Sequence, residues 1–322
     1  MDTGEACSAS VSDQPFEPAF HPTANIFAAC LITGRIEVFE FTSDSTRKVH
    51  TLTAHTESCR TLKFLGADGA LILSGSADKS ILATDASTGQ AMARLENAHA
   101  VGVNALITLD EKNIASGDDD GCIKIWDTRQ RTCVNTFESA HKDFVSDMVY
   151  NAETNELLAV SGDGCLSVHN LRRGKHVATS DNQEDELLSI ALVKGGRKVV
   201  VGSQEGIVNL WSYGDWLDIS DRMPGHPNSV DALVKCDEDT VFTGSSDGII
   251  RIVQILPNKL VGVIGEHMDC PIERLALSPD RRFLASASHD NNIKLWDVSY
   301  ITQEGGIAQA VAAEGTAGAA AV

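Results

Sequence analysis

Serine, histidine and aspartate are the residues from which a nucleophilic hydrolytic site is assembled, and this sequence offers them in regular order. Ser74 stands four residues before Asp78, Ser116 before Asp120, Thr243 before Asp247 and Ser286 before Asp290. A histidine lies upstream of each stretch or of its equivalents: His55, His99, His141, His226 and His267. Catalysis needs one hydroxyl, one base and one carboxylate in a single special place. Here the same offsets recur along the chain, so these groups read as repeated structure rather than as a reaction centre. Other chemistry finds even less support. No Gly-rich loop is followed by Lys and Ser/Thr, and Gly195-Gly196 and Gly305-Gly306 read as a turn and a tail. No His-Glu-x-x-His or clustered His/Cys set marks a metal. Asp118-Asp119-Asp120 could gather a cation, but it reads as a solvated turn with Asp120 in the repeated network. The expectation is a non-enzyme with no cofactor and no small-molecule substrate.

The elements that carry these residues are short strands. Ser116-Gly-Asp-Asp-Asp-Gly-Cys-Ile-Lys-Ile-Trp-Asp127 and Ser286-Ala-Ser-His-Asp-Asn-Asn-Ile-Lys-Leu-Trp-Asp297 each give an apolar strand, an Asp-bearing turn and a strand of alternating apolar and polar residues. The Trp position serves as a phase marker. It is filled by Phe39, Thr84, Trp126, His169, Trp211, Val253 and Trp296, at spacings of 45, 42, 43, 42, 42 and 43. Six residues before each marker come Thr33, Asp78, Asp120, Asp163, Glu205, Asp247 and Asp290. A period of about 40–45 residues with four strands per repeat is that of WD40 propeller blades. The chain therefore resembles the WD40 family from about Phe16 to Asp297, as an all-β, seven-bladed β-propeller.

In that family His, Ser/Thr, Asp and Trp form a hydrogen-bonded tetrad inside the blade. The resemblance implies such tetrads at His99, Ser116, Asp120 and Trp126 in blade 3, and at His267, Ser286, Asp290 and Trp296 in blade 7. Blades 2, 4 and 6 match in part, and blades 1 and 5 lack the His. The last blade needs a closing strand, because an open edge invites foreign pairing. Ala6–Ser12 and Val298–Thr302 are both candidates. Residues 1–15 thus form an N-terminal segment with a candidate closing strand, residues 16–301 the propeller, and residues 302–322 an Ala- and Gly-rich tail. The tail is expected to be disordered, with a short helix over 307–313 as the alternative.

Bulk properties narrow the partners. Lys and Arg number 26 against 45 Asp and Glu, for a net charge of -19, so the body as a whole repels phosphate. No stretch approaches a bilayer-spanning length, and the N-terminus lacks a basic, apolar leader pattern. The eight cysteines are scattered with no C-x-x-C pair, which reads as free thiols in a reducing compartment, cytoplasm or nucleus. Against the acidic background stand two basic stretches, Arg172, Arg173 and Lys175, then Lys194, Arg197 and Lys198. By phase both fall on the face opposite the Asp and His turns. There they form a candidate patch for an acidic partner or RNA, beside the alternative of ordinary surface cations.

Trp126-Asp127-Thr128-Arg129 matches the W-D-x-R box of propellers that serve as substrate receptors of cullin-4 ubiquitin ligases. There, the Arg pairs with the ligase adaptor, a task that suits its planar, bidentate fork. Several segments are more specific still: Ala19-Phe-His-Pro22, Ala115-Ser-Gly-Asp-Asp119, Leu158-Ala-Val-Ser-Gly-Asp-Gly-Cys-Leu-Ser-Val-His169, and Thr243 to Lys259 with its Ile-Leu-Pro-Asn run. Together they resemble the WD repeat-containing protein 55 family and its fungal counterparts over about residues 16 to 300. The resemblance implies a nucleolar protein linked to rRNA synthesis and ribosome biogenesis, with pre-ribosomal factors as partners, and for plant members an association with the cullin-4 ligase. A monomeric propeller acting inside a complex is expected. Animal relatives carry a lysine-rich tail, whereas no Lys or Arg follows Lys294 here, which weakens the nucleolar expectation.

Overall fold

A computed structural model describes residues 4–302. Alternation of the kind seen in Ile123-Lys-Ile-Trp-Asp127 can be satisfied only by stacking one sheet face on another. The chain does this seven times. After β1 (Glu5–Ser10) come blade 1, β2 (Pro15–Phe20), β3 (Ile26–Leu31), β4 (Arg35–Phe41) and β5 (Thr46–Thr53), and blade 2, β6 (Cys59–Leu65), β7 (Leu71–Ser76), β8 (Ile81–Asp85) and β9 (Ala91–Leu95). Blade 3 is β10 (Val103–Thr108), β11 (Asn113–Asp118), β12 (Ile123–Asp127) and β13 (Thr132–Phe137). Blade 4 is β14 (Val145–Asn151), β15 (Glu156–Ser161), β16 (Leu166–Asn170) and β17 (Lys175–Thr179). Blade 5 is β18 (Leu187–Val193), β19 (Lys198–Ser203), β20 (Ile207–Ser212) and β21 (Asp221–Pro224). Blade 6 is β22 (Val230–Lys235), β23 (Thr240–Ser245), β24 (Ile249–Gln254) and β25 (Lys259–Glu266). Blade 7 is β26 (Ile272–Leu277), β27 (Phe283–Ser288) and β28 (Asn292–Asp297), followed by α1 (Ser299–Thr302).

Each blade is an antiparallel meander, and the first strands of successive blades touch in a closed cycle from β2 round to β26 and back to β2. They are the innermost strands. Seven apolar clusters lie between neighbouring blades, one per interface, such as Leu73, Ile114 and Trp126 between blades 2 and 3. The junction of blades 7 and 1 is the most aromatic, with Phe27 stacked on Phe39 at 5.0 Å and Phe41 edge-on to Phe283 at 5.5 Å.

The N-terminus closes the ring. β1 pairs antiparallel with β28, from Glu5 against Trp296 to Ser10 against Asn292, and gives blade 7 its fourth, outermost strand. The rival candidate, Val298–Thr302, turns instead into α1, anchored by the Val298 amide on the Arg282 carbonyl. Residues 303–322, with the expected tail and its alternative helix, lie outside the described residues.

Every innermost strand carries a register shift near its start, between Pro15/Pro18, Cys59/Thr61, Val103/Ala105, Val145/Asp147, Leu187/Ser189, Val230/Ala232 and Ile272/Arg274. A bulge of this kind re-aims side chains. Arg60, Asn104, Ser146, Leu188, Asp231 and Glu273, the residues inside six of these shifts, line one cavity of about 190 Å³ at the mouth of the central channel.

Candidate functional site

The histidines are placed by backbone first. The loop that enters a blade docks on the preceding blade's turn, where the His141 amide donates to the Gly121 carbonyl and the His267 amide to Gly248. Gly121 has φ +79°, and a Cβ there would lie 2.6 Å from the His141 carbonyl oxygen, so glycine is required. In blade 7 the tetrad is complete. His267 contacts Asp290 through Nδ1 at 2.8 Å and Ser286 Oγ through Nε2 at 2.7 Å, while Trp296 Nε1 donates to the same hydroxyl at 2.9 Å.

Blade 3 is equally complete but with a different acid. His99 contacts Ser116 at 2.7 Å, and Trp126 Nε1 donates to Ser116 at 2.8 Å. The carboxylate on His99 Nδ1 is Asp118, at 2.8 Å, and not Asp120. Asp118 ends β11, buried, where other blades have Ser76, Ser161 or Ser288, and its side chain is long enough to reach the ring. Asp120 sits exposed at the turn and only lends its amide to Asp118. Asp119 leaves the network as well and pairs with Arg60 of blade 2 at 2.6 Å.

The remaining blades improvise. In blade 2, His55 holds Ser74 at 2.8 Å and Asp78 at 3.0 Å, and Thr84 at the Trp position has a buried hydroxyl without a partner. In blade 4 the Ser position is Ala159, and its cross-strand neighbour Ser167 supplies the hydroxyl, to His141 at 2.7 Å and to His169 at 2.9 Å. In blade 6, His226 reaches Thr243 at 2.9 Å, but Asp247 is taken bidentately by Arg251 at 3.0 and 2.6 Å, and His226 Nδ1 is left bare. In blade 5, buried Trp211 keeps an unpartnered Nε1.

Electrostatics agree with a structural role. Burial pushes His226 down to about 4, and burial with His176 nearby pushes His169 down to about 3, so both rings are neutral. Asp78 and Asp163 are held at about 2, because hydrogen bonds from Ser80 and His141 respectively outweigh the cost of burial. Asp163–His141–Ser167 has the connectivity of a hydrolytic triad, yet Ser167 is wholly buried, as are Ser74, Ser116 and Ser286. No substrate reaches these hydroxyls. His99, Asp118 and Cys122 come close enough together to suggest a metal. Both His99 nitrogens are already engaged, however, and burial raises the Cys122 thiol to about 11, which opposes thiolate ligation.

The exposed candidates lie elsewhere. Asp127 Oδ1 accepts the amides of Arg129 and Gln130, both at 2.9 Å, and so caps the turn from β12 to β13. Trp126 is buried, and the Arg129 guanidinium stands exposed without a hydrogen bond or ion pair among the described residues. Arg172, Arg173 and Lys175 occupy the matching turn of blade 4 and are likewise exposed and unpaired. The second basic stretch is different. Lys194 pairs with Asp239 of blade 6 at 2.6 Å, Arg197 Nε donates to the Lys194 carbonyl at 2.8 Å, and Lys198 donates to Ser212 and Ser220.

The channel holds charge that sequence reasoning missed. Arg274 of β26 donates to the carbonyls of Ser146 and Asp231, each at 2.7 Å, and more distantly to Leu188. Glu17 accepts from Thr61 Oγ1 at 2.7 Å and the Leu62 amide at 2.8 Å, and pairs with Lys63. Burial raises the Asp147 carboxyl, and burial with Glu273 nearby raises Asp231 to about 6. Glu17, Asp147, Asp231 and Arg274 all stand at the bulges of the innermost strands, but the side chain there changes from blade to blade, so no repeated motif marks them.

Comparisons with known proteins agree over nearly the whole propeller. The family model for WDR55 matches residues 8–301. WD repeat-containing protein 55 of Arabidopsis thaliana is 50% identical over 289 residues, covering 88% of this chain and 80% of the relative. WD repeat-containing protein JIP5 of Cryptococcus neoformans var. neoformans is 37% identical, covering 92% and 82%. WD repeat-containing protein 55 of Homo sapiens is 37% identical, covering 88% and 74%.

Proposed function

Since the chain belongs to the WD repeat-containing protein 55 family, whose propeller is in general a protein-interaction scaffold, we propose that it is a non-catalytic platform in rRNA synthesis and ribosome biogenesis, working in the nucleus and nucleolus. One observation carries the reading. The repeated Ser, His and Asp groups are consumed inside the blades, so what remains for partners is two faces of turns and an outer rim. Among the described residues no helix is long and apolar enough to cross a membrane. Proximity labelling of the full chain in cells is the test. Enrichment of pre-ribosomal factors with a nucleolar signal is expected. A diffuse cytoplasmic signal without those factors overturns the proposal.

A second reading, receptor for a cullin-4 ligase, is favoured by one feature: Arg129 is presented bare on a capped turn. Arg129→Ala is then expected to abolish co-purification of the ligase adaptor while the thermal midpoint stays put. Unchanged co-purification rejects the box as a contact.

A further inference from the structure

The outer rim of blades 3 and 4 combines unpaired cations with exposed aliphatic side chains. β13 and β17 are the outermost strands of their sheets. Both are bulged at the same place. Cys133 pairs with Trp126 and Asn135 with Ile125, which leaves Val134 over, and His176 pairs with His169 and Ala178 with Val168, which leaves Val177 over. The two valines stand out to solvent, 62% and 48% exposed. The turns that lead into these strands carry Arg129 and Arg131 in blade 3, and Arg172, Arg173 and Lys175 in blade 4. All five side chains are exposed and unpaired.

The only carboxylate in either turn or strand is Asp127, which is spent on capping the turn, and Asn170 Oδ1 caps the other by accepting the Arg173 amide at 2.9 Å. The blades meet at this rim, where a Cβ on Gly174 would lie 3.3 Å from Asn135 Nδ2. The result is a continuous basic strip with aliphatic studs on a body of net charge -19. At physiological salt, fields die away over about 8 Å, so an occupant at the strip feels the local sign rather than the total.

We propose that this rim docks an acidic segment of a partner protein whose carboxylates are interleaved with aliphatic residues. The aliphatic studs decide between polyanions. Nucleic acid bound by such a strip wants aromatic platforms for its bases, and the only Phe, Tyr or Trp outside Trp126 in these turns and strands is buried Phe137. The bulges also break the free strand edges, which disfavours strand addition and leaves recognition to side chains. The proposal rests on the scaffold reading only in that its occupant is a protein.

The test uses the full-length protein and a fluorescein-labelled peptide of about 12 residues alternating Asp or Glu with Leu or Val, titrated by fluorescence anisotropy at about 50 and 300 mM salt. Binding is expected to weaken with salt, and to weaken by about tenfold or more in the Arg172→Glu/Arg173→Glu double variant. A peptide with Ser in place of Leu and Val is expected to bind more weakly than the original. Arg129→Ala, which removes one cation at the blade 3 end of the strip, is expected to weaken peptide binding as well, but by less than the double variant. Circular dichroism melting confirms that the variants fold. Absence of peptide binding, equal binding by the double variant, or tighter binding of a uridine oligonucleotide of the same length overturns the proposal. None of these outcomes touches the scaffold reading, which stands or falls on proximity labelling.

Discussion

Arg274 on the innermost strand of blade 7 donates a hydrogen bond to the carbonyl of Ser146 on the innermost strand of blade 4, 128 residues away and across the channel. The same guanidinium reaches Asp231 in blade 6 and Leu188 in blade 5, and it lines both the cavity at the mouth and a second cavity of about 190 Å³ that also touches Glu17, Lys63 and Asp147. Arg274 is thus a spoke that ties four blades together. Replacing it with Leu removes the charge that faces Asp147 and strands the carbonyls, at an expected cost of about 3–5 kcal/mol by urea unfolding. Arg274→Lys is expected to recover less than half, because one ammonium cannot span the fork. A neutral Arg274→Leu result would show the spoke to be idle.

The acid of the blade 3 tetrad can be settled by mutation. Asp118→Ala is expected to destabilise by about 1–3 kcal/mol, since it leaves His99 Nδ1 and two turn amides unsatisfied. Asp120→Ala, at an exposed site, is expected to change stability by less than about 0.5 kcal/mol. Denaturant midpoints in the reverse order would restore Asp120 to the network.

Trp211 and Trp296 are both fully buried, but only Trp296 has a hydrogen-bonded Nε1. A change to Phe removes similar volume at each site. The cost at Trp296 is expected to exceed that at Trp211 by about 1 kcal/mol, because the Trp211 change also removes an orphaned donor. Equal costs would mean that the tetrad hydrogen bond contributes nothing net.

His226 makes stability depend on pH with a definite sign. Its pKa is about 4 in the folded protein against an ordinary 6.5, so below 6.5 the unfolded chain binds a proton that the folded chain refuses. Stability is therefore full above 6.5 and falls with pH down to about 4. Between pH 7.5 and 5 this one group is expected to remove about 2 kcal/mol. His226→Asn is expected to flatten that part of the slope in urea titrations at the two pH values, and an unchanged slope counts against the assignment.

The blade count was legible because strand alternation and turn spacing are local and repeat, even where Thr84, His169 and Val253 replace the marker Trp. The tetrads were legible only where every position kept its residue type. Asp118 and Asp120 are two residues apart on the same turn, and only side-chain reach separates them. Ser167 substitutes for the missing hydroxyl at Ala159 from across the sheet, a neighbour that no within-strand offset reveals. Arg274 was invisible for a deeper reason: its partners belong to three other blades, and a repeat-based reading averages away whatever a single blade does alone. Of the candidate surface, Arg172 and Arg173 kept their free side chains, while the pairing of Lys194 with Asp239 depends on blade packing.

The pairing of β1 with β28 also sets a timetable. Ser10 and Asn292 hydrogen-bond across a separation of 282 residues, so the first described strand waits for the last described one. During synthesis blades 1 to 6 can form in order, each from contiguous chain, whereas the seventh cannot be finished until β28 has left the ribosome. Contacts of such long range carry the largest loop-closure penalty and slow the final step. Until that step β1 is an unpaired strand and the junction of Phe41 with Phe283 stays open, which makes this seam the interval of greatest exposure to aggregation or chaperone capture.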